Sequence, residues 1–224
     1  MMKKIQIAID GPAGAGKSTI AKIVAEALQF TYIDTGAMYR AVTYKAMNEN
    51  IKLHDAVAIE EMLKHTTITL KPSEQGQLVF VDGMDVSQAI RSNEVTANVS
   101  QVAAHANIRK ILVAMQQQLA ANGGVVMDGR DIATHVLKDA ELKIFMSATV
   151  EERARRRHLD NERRGIPSTI ESLIEDIARR DKLDSEREAS PLIQSEDALF
   201  LDTTNLSIDE AAQEILKLAK DKMA

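Results

Sequence analysis

The residues whose types and spacing most clearly indicate a chemical function form the run Gly11-Pro12-Ala13-Gly14-Ala15-Gly16-Lys17-Ser18 near the start of the chain. This run fits the pattern G-x-x-x-x-G-K-[ST] in full. Its glycines allow successive backbone N–H groups to point at phosphate oxygens, and the following helix adds the positive end of its dipole. Lys17 can reach the β- and γ-phosphates of a nucleoside triphosphate, and the Ser18 hydroxyl can ligate Mg²⁺. We therefore predict that Gly11–Thr19 binds ATP with Mg²⁺.

The rest of the chain argues against two common classes of protein that carry such a loop. A GTPase switch needs a D-x-x-G segment and an N-K-x-D guanine reader, and neither pattern occurs here. A nucleic-acid motor needs a basic channel, whereas the net charge is −5 and aromatic residues make up only 3%. A small-molecule kinase is the class that remains.

The composition predicts an ordinary globular protein with one main domain. The chain has 224 residues, of which 45% are apolar, and this is enough for a substantial core. It has no cysteine, and its five histidines lack a metal-ligand spacing. The sequence contains no recognisable signal peptide or membrane-spanning stretch. We therefore expect a cytoplasmic protein that binds neither nucleic acid nor membranes.

Short apolar runs alternate with helical periodicity along the chain, which predicts an α/β fold. The predicted parallel strands are Ile5–Ile9, Tyr32–Ile33, Val125–Met127, Lys143–Met146 and Ala198–Leu201. The predicted helices are Lys17–Leu28, Gly36–Asn48, Asn93–Ala104, Ile108–Ala121 and Thr149–Gly165, and capping boxes at Ser168 and Ser207 open two more. Alternating segments at Thr66–Lys71, Gln77–Val81 and Met84–Val86 predict a small antiparallel meander.

Several further motifs follow the phosphate-binding loop in a distinctive order. They are Asp34-Thr35-Gly36-Ala37-Met38-Tyr39-Arg40, Ser100-Gln101-Val102-Ala103, Asp128-Gly129-Arg130-Asp131 and Arg179-Arg180-Asp181 with Asp184, Arg187 and Pro191-Leu192. This combination is far more specific than the loop alone. Almost from end to end, the chain resembles the bacterial cytidylate kinases.

The resemblance implies a P-loop kinase fold with a five-stranded parallel sheet flanked by helices. Residues 1–33, 104–152 and 166–224 would form this core. Residues 34–103 would form a monophosphate-binding subdomain that carries the antiparallel insert at about 66–86. Residues 153–165 would form a mobile, arginine-rich lid. The resemblance also suggests a monomer.

The resemblance implies that ATP phosphorylates CMP, and dCMP as well, in a direct in-line transfer. It places cytosine near Ser100, Arg109 and Asp131, with Thr35 close by. The chemistry agrees, because a carboxylate accepts from the N4 amino group while arginine and serine donate to the ring acceptors. Uracil would instead present its O4 oxygen to the carboxylate, which repels it.

The remaining acceptor contacts implied by the resemblance involve the sugar and the phosphate. Arg180 and Asp184 would contact the sugar. The monophosphate would be bound by Arg40, Arg130 and Arg187, whose planar guanidinium groups suit a dianion better than lysine does.

Two catalytic features remain to be assigned. Lys17, Arg153 and Arg157 are the candidates for stabilising the transferring phosphate, since the arginines of residues 153–164 recur on one helical face. The alternative is a solvated helix face. Asp128, at the end of a strand, is the candidate for holding Mg²⁺ through water, or else part of a structural ion network with Arg130 and Asp131.

Two other functions remain open from the sequence. A kinase for another small acceptor, such as a sugar acid or a shikimate-like alcohol, would share the loop and lid but not the base-binding trio Ser100, Arg109 and Asp131. A non-enzymatic nucleotide-binding regulator would need no second pocket. In such a regulator the lid arginines would have no transition state to stabilise.

Overall fold

The structure is a computed structural model, and it describes residues 3–73, 76–163 and 165–223. One of the predicted lid arginines, Arg164, and residues 74 and 75 of the predicted insert lie outside these ranges. None of the described helices is long and apolar enough to cross a membrane.

The core is a sheet of five parallel strands in the order β2-β6-β1-β7-β8. This confirms the predicted parallel sheet. A second sheet joins three antiparallel strands in the order β3-β4-β5, as predicted for the insert. The strands are β1 Gln6–Asp10, β2 Thr31–Asp34, β3 Ile68–Ser73, β4 Gly76–Val81, β5 Met84–Asp85, β6 Val125–Gly129, β7 Leu142–Ser147 and β8 Leu199–Asp202.

Eight α-helices lie within the described ranges. They are α1 Lys17–Leu28, α2 Thr35–Asn48, α3 Ala56–Lys64, α4 Asn93–Ala103, α5 Ala106–Ala120, α6 Val150–Arg163, α7 Ile170–Glu186 and α8 Ile208–Met223. A 3₁₀ turn, Ala89–Arg91, and a single π-helical turn, Ile132–Val136, complete the elements.

The central strand β1 is buried on both faces of the sheet. Ile7 and Ile9 pack with helices α1 and α8 on one face, and Ala8 packs with Met127 and Ile132 on the other. Burial of one isoleucine side chain contributes about 1.5–3 kcal/mol. Such two-sided burial explains why the parallel strands read as short, continuous apolar runs.

The carboxyl ends of β1, β2 and β6 bring three acidic side chains to one edge of the sheet. These are Asp10, Asp34 and Asp128, and all three are buried. Ligands of open α/β sheets bind outside this edge, so the fold places three carboxylates where a ligand site is expected.

The antiparallel insert is attached to the core by the side chain of Gln77 on β4. Its amide nitrogen donates to the Tyr32 carbonyl at 2.6 Å, and its amide oxygen accepts from the Asp34 N–H at 3.0 Å. The insert turns at Asp82-Gly83, where both residues have positive φ, as expected for a tight hairpin. The side chain of Gln77 thus takes the place of a neighbouring strand at the end of β2.

Helix α3 was not predicted from the sequence. Asp55 caps it by accepting from the Ala58 N–H, and Ile59, Met62 and Leu63 are its buried residues. The signal was present, since an aspartate precedes apolar residues at helical spacing. The helix has only nine residues, so this pattern covers little more than two turns.

One of the two predicted capping boxes is confirmed and the other is wrong. Ser207 and Glu210 exchange the reciprocal hydrogen bonds of a capping box at the start of α8. At α7 the cap is Thr169, whose hydroxyl accepts from the Ser172 N–H at 3.2 Å. Ser168 instead contacts His158 Nδ1 at 3.2 Å, because the chain is still extended there.

The Thr169→Ala substitution is expected to lower the free energy of unfolding by about 1 kcal/mol, because it removes a helix cap. Ser168→Ala should cost less, since it removes only a partly exposed contact with His158. Urea unfolding of the two variants measures the difference. A larger loss for Ser168→Ala would support the capping box that the sequence predicted.

Candidate active site

The phosphate-binding loop joins β1 to α1 in a conformation that requires glycine. Gly11 has φ +146°, and a Cβ atom at this position would lie 1.9 Å from the Met146 carbonyl oxygen. Gly14 and Gly16 also have positive φ, and Gly16 is the N-cap of α1. The loop therefore curls against β7 and leaves the amino end of α1 open toward the cleft.

Lys17 is the buried cation of this loop. Its Nζ donates to the Pro12 carbonyl at 2.8 Å, and the residue is only 5% exposed. Burial, together with the positive charge of Arg130, lowers the Lys17 pKa to about 7. A bound phosphate would supply the negative charge that favours the ammonium form.

Asp128 lies opposite the loop and receives a hydrogen bond on each carboxylate oxygen. Ser18 Oγ donates to Oδ2 at 2.8 Å, and the Tyr32 hydroxyl donates to Oδ1 at 2.7 Å. Burial and the neighbouring Asp34 charge raise the Asp128 pKa, which Lys17 and the two hydrogen bonds oppose. The predicted pair of Ser18 and Asp128 is thus brought together.

The oxygen donors of this pair fit a magnesium ion. Mg²⁺ prefers hydroxyl, carboxylate and water oxygens, and it commonly binds proteins through one or two side chains plus substrate phosphates. Among the residues that the structure describes, no group of three or more His, Cys, Asp or Glu side chains could hold a metal ion. The remaining ligands would therefore have to come from water and a nucleotide.

Arg109 and Asp131 form a buried ion pair deeper in the cleft. Arg109 Nη2 contacts Asp131 Oδ2, and Nη1 donates to the Ala103 carbonyl at 3.0 Å. The two residues are 3% and 4% exposed. Arg187 and His135 approach the same carboxylate at 3.8 and 3.9 Å. The pair offers fixed acceptor and donor groups to a planar ring.

Two other predicted base-site residues line the same cleft. Ser100 lines the cleft on α4. The Thr35 hydroxyl donates to the Asp128 carbonyl at 2.8 Å and lies where a Cβ on Gly129 would clash. Thr35 therefore fixes the backbone of the Asp128-Gly129-Arg130-Asp131 motif.

The predicted sugar- and phosphate-binding arginines are held by aspartates at the cleft wall. Arg130 Nε donates to Asp184 Oδ2 at 2.9 Å, and Arg40 Nη2 donates to Asp34 Oδ2 at 2.9 Å. Arg180 lies near both Arg130 and Asp184, and burial together with the charge of Arg130 lowers its pKa to about 10. The wall thus carries positive charge that the aspartates only partly balance.

Arg187 completes this wall from the end of α7. Its Nε donates to the Ser190 carbonyl at 2.6 Å, and burial lowers its pKa. Its Nη2 atom is buried and has no hydrogen-bond partner among the described residues.

Helix α6, the predicted lid, has arginines that contact the loop and others that line the cleft. Arg153 donates to the Ala148 and Ala13 carbonyls at 2.9 and 3.0 Å and pairs with Asp181 at 2.6 Å. Arg157 and Arg163 line the cleft. Arg153 therefore joins α6 to the phosphate-binding loop, whereas Arg157 lines the cleft.

One continuous cleft of about 670 Å³ contains most of the predicted site. The predicted residues that line it are Ala13, Gly14, Gly16, Lys17, Ser18, Thr19, Thr35, Arg40, Ser100, Arg109, Asp128, Arg130, Asp131, Arg157, Arg180, Asp184 and Arg187. Gly11, Pro12, Ala15 and Arg153 are buried and are not among the lining residues.

The sequence analysis missed an apolar end of the cleft. Ile20, Leu206 and Ile208 line this end, beside Arg156. Arg156 donates to Glu152 Oε1 at 2.8 Å and to the Thr203 hydroxyl at 3.2 Å. No short motif could have found this surface, since three distant segments form it.

Two single residues near Asp131 were also missed. Tyr39 lines the cleft beneath Arg109, whose guanidinium lies 5.2 Å from the ring centroid, and its buried hydroxyl has no partner among the described residues. Its place in the Asp34–Arg40 motif was an available signal. Asp10 accepts from the N–H groups of Ile132 and Ala133, each at 2.8 Å, and burial raises its pKa to about 6.

Known proteins match this chain over nearly its whole length. The family model described as cytidylate kinase matches residues 7–221. The chain is 78% identical to a cytidylate kinase of Lysinibacillus sphaericus over 223 residues, covering 100% of both chains. It is 58% identical to a cytidylate kinase of Bacillus subtilis over 222 residues, covering 99% of each.

A solved structure of an uncharacterised protein from Eubacterium ventriosum has a similar fold. Its TM-score is 0.52 at 13% identity, over 98% of this chain and 99% of that one. At that identity the likeness concerns the fold alone. The family match and the two close relatives lead to one conclusion: the chain belongs to the cytidylate kinase family.

Proposed function

We propose that the chain transfers the γ-phosphate of ATP to CMP, and also to dCMP, giving ADP and CDP or dCDP. The observation that carries this proposal is that one cleft contains both the phosphate-binding loop and the buried Arg109–Asp131 pair. A phosphate oxygen of CMP attacks the γ-phosphorus, and the bond from that phosphorus to the β–γ bridging oxygen breaks.

The donor nucleotide lies along the loop in this proposal. The loop N–H groups bind the phosphate oxygens, and Lys17 moves from the Pro12 carbonyl to the β- and γ-phosphates. Ser18, and Asp128 through water, would hold Mg²⁺, which would neutralise part of the phosphate charge. The adenine ring packs on the apolar end of the cleft, against Leu206 and Ile208.

The acceptor base lies against the buried ion pair. Asp131 accepts from the cytosine N4 amino group, while Arg109 and Ser100 donate to N3 and O2. Thr35 holds the motif backbone close by. Because Arg109 already fixes one oxygen of Asp131, the carboxylate cannot easily turn away from the oxygen of a uracil, and this would disfavour UMP.

The rest of the acceptor is bound by the arginine wall. Arg180 and Asp184 contact the sugar, and Arg40, Arg130 and Arg187 bind the monophosphate. The aspartate partners of Arg40 and Arg130 hold these two guanidinium groups in place until a phosphate dianion binds.

The lid supplies charge to the transferring phosphate. Arg157 extends into the cleft and reaches the γ-phosphate when the lid closes, excluding water that would otherwise hydrolyse ATP. Arg153 acts with it by holding the lid against the loop at the Ala13 carbonyl. Lys17 and Arg157 are thus the proposed catalytic residues, whereas Arg153, which the sequence grouped with them, is proposed as a positioning residue.

The family match favours neither of the two alternative functions that the sequence left open. A kinase for a sugar acid or a shikimate-like alcohol has no use for the Arg109–Asp131 pair, and a regulator has no use for a second subsite. The monomeric state and the cytoplasmic location stay predictions.

The direct test is ADP release from Mg²⁺-ATP with a panel of CMP, dCMP, UMP, AMP, GMP and shikimate. We expect the highest kcat/KM with CMP. Lys17→Ala should raise the barrier for CMP phosphorylation by about 3 kcal/mol, because it removes a preorganised charge. Near-normal turnover by that folded variant, or a clear preference for an acceptor other than CMP and dCMP, would contradict the proposal.

Asp131→Asn tests base selection while keeping an oxygen acceptor opposite Arg109, which alanine would remove. The amide oxygen can still face Arg109, while the amide nitrogen meets the base. We expect the preference for CMP over UMP in kcat/KM to fall by about 1–3 kcal/mol. Asp176→Asn, on the exposed side of α7, is the matched control. Equal losses on CMP and UMP would make Asp131 purely structural.

Arg157→Ala should lower kcat by about 100-fold with little change in either KM, since its contact forms mainly in the transition state. Arg157→Lys should recover only part of the rate, because lysine lacks the planar fork. Arg179→Ala, at an exposed arginine of α7, serves as the control for steady-state kinetics. A near-normal kcat for Arg157→Ala would support the alternative, in which the arginines of α6 form a solvated helix face.

A further inference from the structure

We propose that Tyr32 is a positioning residue: its hydroxyl fixes the orientation of the Asp128 carboxylate and thereby sets how strongly Mg²⁺ promotes ATP binding. This inference rests on the proposed function, because Asp128 has a metal role only there. Tyr32 belongs to none of the motifs described above and does not line the cleft. It acts on the site through its hydrogen bond to Asp128.

Tyr32 and Ser18 hold the carboxylate from different sides. The Tyr32 hydroxyl donates to Oδ1 at 2.7 Å, and Ser18 Oγ donates to Oδ2 at 2.8 Å. With one donor on each oxygen, the plane of the Asp128 carboxylate is determined. Asp128 is itself 4% exposed, so free water offers little substitute for a missing donor.

This arrangement remains compatible with a metal at Ser18. A serine hydroxyl has one proton and two lone pairs, so Ser18 can donate to Asp128 Oδ2 while a lone pair faces the ion. Oδ1 depends on Tyr32 alone among the hydrogen bonds described for it. Outer contacts of this kind commonly tune metal sites, since they orient the groups that bind the metal or its water ligands.

The tyrosine is held firmly enough to act as a fixed donor. Strand β2 pairs in parallel with β6, which carries Asp128, and the Tyr32 ring packs against the core beneath α1. Lys22 Nζ lies 5.7 Å from the ring centroid, and the Tyr32 carbonyl accepts from Gln77. Phenylalanine would keep the ring packing, so Tyr32→Phe removes the hydroxyl alone.

The experiment measures ATP binding by calorimetry, with Mg²⁺ and with EDTA, for Tyr32→Phe. We expect the Mg²⁺-dependent gain in ATP affinity to fall about tenfold, whereas affinity in EDTA and affinity for CMP stay unchanged. The magnesium concentration for half-maximal turnover should rise in parallel. Tyr44→Phe, which removes a hydroxyl from a partly buried tyrosine packed beside the insert, is the matched control and should match the wild type.

An equal loss of affinity in EDTA would overturn the inference, because the hydroxyl would then support the loop rather than the metal. Asp128→Asn separates the remaining outcomes. If Asp128→Asn loses the magnesium dependence while Tyr32→Phe keeps it, the positioning role fails and the proposed function stands. If both variants keep it, the metal role of Asp128 fails, and the inference fails with it.

Discussion

The structure depends above all on a balance of buried charge. The cleft wall holds Arg109, Arg130, Arg180 and Arg187 against too few carboxylates, and burial lowers the pKa of Arg180 and Arg187. Nitrogen atoms of Arg109, Arg180 and Arg187 are buried without hydrogen-bond partners in the described parts of the chain. Buried donors and charges of this kind are costly unless something pairs with them. We propose that the bound nucleotide supplies these partners, and that its phosphate balances the excess positive charge of the wall.

The fold creates this balance by a simple arrangement. Parallel strands that are apolar on both faces can carry charged residues only at their ends, and here Asp10, Asp34 and Asp128 all lie at the same edge. Each aspartate then organises a different neighbour. Asp10 fixes the turn after Asp131, Asp34 caps α2 and holds Arg40, and Asp128 receives Ser18. The start of α1, Arg40, the turn after Asp131 and the candidate metal residues are therefore all positioned by the same sheet edge.

Sequence reasoning succeeded where the signal is local. The phosphate-binding loop, helix α1 and the turn at Asp82-Gly83 follow from residue types a few positions apart, and the structure has all three. It failed at the α7 cap by a single residue, since Ser168 and Thr169 both suit an N-cap and only tertiary packing chooses between them. The contacts of Arg153 with Ala13, and of Tyr32 with Asp128, join residues 140 and 96 positions apart, and no spacing pattern reports them.

The central claim is that phosphate charge, rather than the base alone, completes the buried cleft. Thermal denaturation in the presence of CMP or cytidine tests it most directly, because the two ligands share the base and sugar and differ in the phosphate. Ligands that bind only the folded state raise the midpoint, and at a given concentration a tighter ligand raises it further. The account predicts a clear rise with CMP and little or none with cytidine at the same concentration. Equal rises with the two ligands would contradict it.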